Sequence, residues 1–203
     1  HASSASETDR GSVGMSARIL KSRIVESALA LAVEQGWVDL HLKVVARHAK
    51  CTQAELEAIF PDKAALLAGV FAWIDAEALK NAGGRDAGDA PRDALFDVLM
   101  DRFDVLSAHR AAFVSILDSF RPDPKQAFDS LPHLCRAMTA TLAAAGLETG
   151  GPKGALRALG LAMVYLDVLR VWKGDESPDM AKTMAALDRD LGRAEQAAGF
   201  LGL

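Results

Sequence analysis

The chain has 203 residues, 50% of them hydrophobic and 25% charged; at this length roughly 70% of the unfolded surface is buried on folding, so neither a metal nor a disulfide is needed to hold a core. A formal net charge of −4 and a pI near 5.7 exclude a general nucleic-acid-coating protein. The longest apolar run, 158–166, falls far short of the ~20 residues of a membrane span, no signal sequence is visible, and Cys51 and Cys135 are isolated thiols rather than a CxxC pair, so the expected compartment is the reducing cytoplasm.

Residues 1–15, HASSASETDRGSVGM, are small and polar without periodicity and are expected to be disordered, part of them a tag remnant. From Ser16 onward Ile19, Ile24, Ala28, Leu31 and Ala32 make one helical stripe, stopped at Gly36. Arg18, Lys21 and Arg23 crowd the start of that helix. Leu42, Val45, Ala46 and Ala49 follow at i, i+3, i+4 and i+7 and predict a short helix over 42–49. Thr52 with Glu55 three residues on is a capping box, opening a second short helix with Leu56, Ile59 and Phe60 on its buried face. Only Lys50 and Cys51 separate that helix end from the cap, and so short a turn makes the two helices cross steeply, the geometry of a helix-turn-helix. Pro61 ends the unit and Asp62 caps the next helix, 63–79, whose apolar side is Leu66, Leu67, Val70, Phe71, Ile74 and Ala78.

The segment 81–90, NAGGRDAGDA, reads as a linker. Beyond it, helices are predicted over 91–107 (Leu95, Val98, Leu99, Arg102, Phe103, Leu106), 109–120 (Phe113, Ile116, Leu117, Phe120) and 124–145 (Phe128, Leu131, Leu134, Met138, Leu142, with Pro132 inside it). Residues 153–173 are apolar nearly all round and need cover on more than one side, and a last amphipathic helix runs over 178–198. The fold class is all-α, about nine helices. A three-helix helix-turn-helix domain, 16–62, is joined by a connecting helix, 63–80, and the linker to a larger helical bundle, 91–203. Residues 16–66 hold seven Lys/Arg against six Asp/Glu, whereas 67–203 hold fifteen against nineteen, so only the first block is basic, and slightly.

No GxSxG elbow, P-loop, HExxH or Rossmann glycine pattern occurs, the five His are scattered, and neither enzyme, metal nor cofactor is expected. Asp167 within the apolar 153–173 helix reads as one half of an ion pair with Arg170 or Arg157.

Residues 36–66 resemble the DNA-binding motif of the tetracycline-repressor (TetR) family of bacterial regulators: a helix ending in Gly36-Trp37, then Val45-Ala46, Ala49, Thr52, Leu56, Phe60 and Lys63 at the family's spacing. The chain departs from the family pattern at the turn, where Lys50 replaces the usual Gly, at His41 in place of a small cap, and at Glu57-Ala58 in place of Tyr followed by His or Tyr. The resemblance implies a one-component DNA-binding regulator, a repressor released by a small hydrophobic effector. Arg18, Lys21, Lys43, Arg47, Thr52 and Lys63 would then face the DNA backbone, with Arg23 beside them, and Gln53 and Glu55 would face base edges. It further implies a homodimer through the last two helices, and an effector space lined by Met100, Phe103, Phe113, Leu117, Phe120, Met138, Met163 and Tyr165, with His109 and Thr141 as further polar groups. The acidic second helix, the missing Tyr and the apolar tail AAGFLGL point to an alternative: a TetR-like fold acting as a lipid-binding accessory protein, like its ubiquinone-biosynthesis relatives, without stable membrane insertion.

Overall fold

The computed structural model describes residues 4–80 and 90–200, and among these it forms nine α-helices and no strand. They are α1 (Ser4–Glu34), α2 (Leu42–His48), α3 (Gln53–Ile59), α4 (Lys63–Ala78), α5 (Pro91–Ala108), α6 (Arg110–Ser119), α7 (Pro124–Ala144), α8 (Gly151–Lys173) and α9 (Ala181–Phe200). All nine expected helices are present. α1 begins at Ser4, twelve residues ahead of the amphipathic stripe, and so takes in most of the segment expected to lack order. Apart from Ala90, the expected linker lies outside the described residues, as do the last three residues of the apolar tail. No described helix is long and apolar enough to cross a membrane.

The chain divides into two compact units. The first comprises His1–Trp73 and His109–Pro124, the second Ile74–Ala108 and Lys125–Leu203. Contacts therefore group α6 with the N-terminal helices, although it follows α5 in sequence. In this first unit Ile24, Val25, Ala28, Leu29, Leu31 and Ala32 of α1 are buried, and α1 packs on α2 and α6. Trp37 is fully buried just beyond α1, and its backbone N–H donates to Ser115 Oγ of α6 at 2.8 Å. Phe60, the C-cap of α3, is buried as well. Its ring lies over Gly69 of α4 so closely that a Cβ there would collide with Phe60 Cε1, which explains a glycine inside this helix.

In the second unit α9 packs on α8 and α5. α5 buries Leu95, Val98, Leu99, Phe103 and Leu106, and with them Arg102. The Arg102 guanidinium is paired with Asp75 and lies 5.0 Å from the Tyr165 ring centre, and Tyr165 stacks on Phe103 at 5.5 Å. Burial alone would push Arg102 below its ordinary range; Tyr165 and Asp75 outweigh it and hold the group above that range. Trp172, fully buried, donates through Nε1 to Ser107 Oγ at 2.9 Å.

The turn from α8 to α9 is organised by Asp175, whose buried carboxylate accepts from the Thr183 N–H at 2.8 Å, the Thr183 hydroxyl at 2.7 Å, the Ser177 N–H at 3.1 Å and the Ser177 hydroxyl. Its burial favours the neutral acid, but the Ser177 and Thr183 hydrogen bonds prevail and hold it well below the usual carboxylate range.

One expectation for α7 needs correction. Phe128 and Leu131, placed on its apolar face, are exposed, Phe128 to 71%. The helix itself runs through Pro132, as its expected bounds of 124–145 require. Burial begins further along, at Ala137, Met138, Thr141 and Leu142.

Candidate nucleic-acid interface

The turn between α2 and α3 is set by backbone hydrogen bonds. Lys50 N–H donates to Arg47 O at 3.2 Å and Cys51 N–H to Ala46 O at 3.0 Å, the paired bonds of a Schellman motif. That motif puts Lys50 in the left-handed region at φ 53°, which explains why a glycine suits the position and leaves the Lys50 side chain exposed. α2 itself starts without a side-chain cap, since His41 makes no capping hydrogen bond. α3 starts with a complete capping box: Thr52 Oγ1 accepts from Glu55 N–H at 3.2 Å, and Glu55 Oε2 accepts from Thr52 N–H and from the Thr52 hydroxyl, each at 2.8 Å. Leu56 then anchors α3 and leaves Gln53, Ala54, Glu57 and Ala58 exposed.

This geometry sets what the side chains of α3 contact. Glu55, expected at base edges, has a carboxylate turned back onto Thr52, and the Thr52 hydrogen bonds, with Arg23 of α1 nearby, hold it below its ordinary value. The acid that points outward is Glu57, whose Oε1 accepts from Gln53 Nε2 at 2.6 Å. That pairing is the i, i+4 spacing of neighbours on one helix face.

The cations gather from neighbouring helices of the same unit. Arg18, Lys21, Lys43 and Arg47 are exposed; Lys21 Nζ stands 5.9 Å from the Phe60 ring centre, and Arg23 acts electrostatically on both Glu55 and Cys51. Lys63 is half-buried. Its Nζ donates to Val38 O at 2.7 Å and sits 5.8 Å from the Trp37 ring centre, with burial pushing the ammonium down against the opposing effect of Asp39. Lys63 thus ties the start of α4, capped by Asp62 Oδ1 accepting from Ala65 N–H at 2.7 Å, to the end of the α1–α2 connection. Burial, and then Glu55, push the Cys51 thiol up, so it is a packing residue of the turn rather than a thiolate.

The residues expected to line an effector space are drawn from both units. Phe113, Leu117 and Phe120 belong to the first unit; Met100, Phe103, Met138 and Tyr165 belong to the second. Met163 is 62% exposed on α8 and lines no interior. Thr141 donates its hydroxyl to Ala137 O at 3.0 Å within α7, and His109 meets Trp73 edge-on at 5.2 Å. An open groove of ≈ 560 Å³ between α5 and α9, bordered by Arg92, Phe96, Asp97, Met184 and Asp188, shares none of the expected residues. Among the described residues no cluster of metal-ligating side chains occurs. Asp167 pairs with Arg170 at 2.7 Å on the surface, as its spacing indicated, while Arg157 donates to Glu148 O instead.

No family model matches the chain, and no curated protein sequence does. Solved structures do. The chain is similar to a TetR transcriptional regulator from Nitrosomonas europaea at a TM-score of 0.69 and 23% identity, over 87% of this chain and 98% of that one. It is similar to a TetR transcriptional regulator from a Rhodococcus species at 0.60 and 21%, over 88% and 96%. A TetR-family regulator from Streptomyces coelicolor matches at 0.58 and 14%, over 90% and 83%. At these identities the likeness is one of fold: the chain has the all-α fold of the TetR regulators.

Proposed function

We propose that this chain is a dimeric, one-component transcriptional regulator, a repressor that holds double-stranded operator DNA through α3 and is released by a small hydrophobic effector. The observation that carries the reading is the state of α3. Its outer face is exposed, Glu55 Oε2 is held by Thr52 in the capping box, and Arg23 of α1 lies near enough to offset part of the Glu55 charge, which favours approach to phosphates. Lys21, Lys43 and Arg47 supply backbone contacts, and Lys63 supports them from its half-buried position.

The dimer is supported by α8. Leu156, Leu159, Met163 and Leu166 form an exposed apolar line at i, i+3, i+7 and i+10, and Gly160 among them has open space above it. A second copy of α8 and α9 would bury that line. Two α3 helices would then enter successive major grooves about 34 Å apart.

Selection of binding sites from random duplex DNA with the full chain tests the proposal. A near-palindrome bound in the nanomolar range is expected. Absence of enrichment at low salt, together with lipid co-purifying with the protein, overturns it in favour of a lipid-binding accessory role.

A further inference from the structure

Gln53 and Glu57 stand one turn apart on the exposed face of α3, and their side chains touch. A carboxylate only accepts, so the Gln53 amide must turn its NH2 toward Glu57 and its Oε1 away. The pair therefore shows outward the remaining lone pairs of Glu57 and Gln53 Oε1, all acceptors, against a single remaining Gln53 N–H. Ala54 and Ala58 beside them add only methyl groups, and Glu55 is closed onto Thr52.

Building on the DNA-binding reading above, we infer that the Gln53–Glu57 pair determines sequence specificity, with Glu57 selecting cytosine through its exocyclic N4 amino group in the major groove. The discrimination follows from the base edges. Guanine shows N7 and O6, both acceptors, and would face a carboxylate with no proton between them. Adenine offers the N6 donor but sets the N7 acceptor beside it, whereas cytosine offers its donor alone. Gln53 keeps one N–H and one carbonyl oxygen, the donor–acceptor set that fits adenine. Because the two side chains are in contact, they read neighbouring base pairs, so each half-site carries a cytosine next to the position read by Gln53. Glu55 acts as a positioning residue, holding the first turn of α3 so that both readers face outward.

The test repeats the site selection with the full chain and with Glu57→Ala and Glu57→Arg, both folded forms verified by circular dichroism; the position is exposed, so neither change disturbs a core. The wild-type chain should fix a C·G pair at one position of each half-site, with replacement of that pair weakening binding roughly 10-fold. Glu57→Ala should flatten the preference at that position alone, and Glu57→Arg should move it to guanine, whose O6 and N7 accept from a guanidinium. An enriched palindrome whose base frequencies are unchanged in Glu57→Ala overturns the assignment and leaves the regulator reading standing. If the wild-type chain enriches no site, both fall together.

Discussion

The α2–α3 turn and the bundle of α5, α8 and α9 use the same charged and hydroxyl side chains in opposite ways. Around α3 the polar groups close onto near neighbours in the chain, Thr52 with Glu55 and Gln53 with Glu57, and remain in water. In the second unit Arg102 and Trp172 are buried, and their partners, Asp75 and Ser107, are distant in sequence. Local pairing at the surface shapes a helix end and an outward face and contributes little stability. Pairing in a dry interior fixes how elements meet, because a buried group left alone is expensive.

The difference predicts where substitutions hurt. Arg102→Ala should be the most damaging, destabilising the fold by about 3–5 kcal/mol in denaturant melts, since it strands Asp75 beside an apolar core. Arg102→Met combined with Asp75→Leu should recover most of that loss; failure to recover would mean that the pair does more than satisfy its own charge. Asp175→Ala should come next, at about 1–3 kcal/mol, because it orphans the N–H and hydroxyl of Thr183. The Asp175 carboxyl is harder to protonate folded than unfolded, so its contribution is complete above the unfolded value of about 3.9 and fades as pH falls below it. Asp175→Asn should therefore narrow the gap between melting temperatures at pH 7 and pH 3.

The turn should yield smaller numbers. Thr52→Ala, removing the cap of α3, is expected to lower stability by about 1 kcal/mol, and a larger loss of DNA affinity than of stability would mark the cap as a positioning device. Lys50→Gly should be the mildest and of opposite sign. Relief of the left-handed backbone at φ 53° is offset by glycine's entropy, leaving a gain below about 1 kcal/mol in the same melts.

The features legible in sequence were those whose cause is local. The capping box at Thr52 and Glu55, the stop at Gly36, the Asp62 cap and the i, i+3 pair of Asp167 with Arg170 are written within a turn or two of the chain, and the structure holds each of them. The contacts of Glu55 and Glu57 are just as local, with Thr52 three residues and Gln53 four residues away.

By itself, then, the chain determined the nine helices found among the described residues and the short turn between two of them, because apolar spacing, caps and breakers act over a few residues. Tertiary structure alone decided the partners of Arg102 and Lys63, the closeness of Phe60 to Gly69, the grouping of α6 with the N-terminal helices, and which apolar residues, Met163 and Phe128 among them, the single chain leaves exposed. Those outcomes depend on which helix faces are brought together, and periodicity says that a face is apolar without naming what it meets.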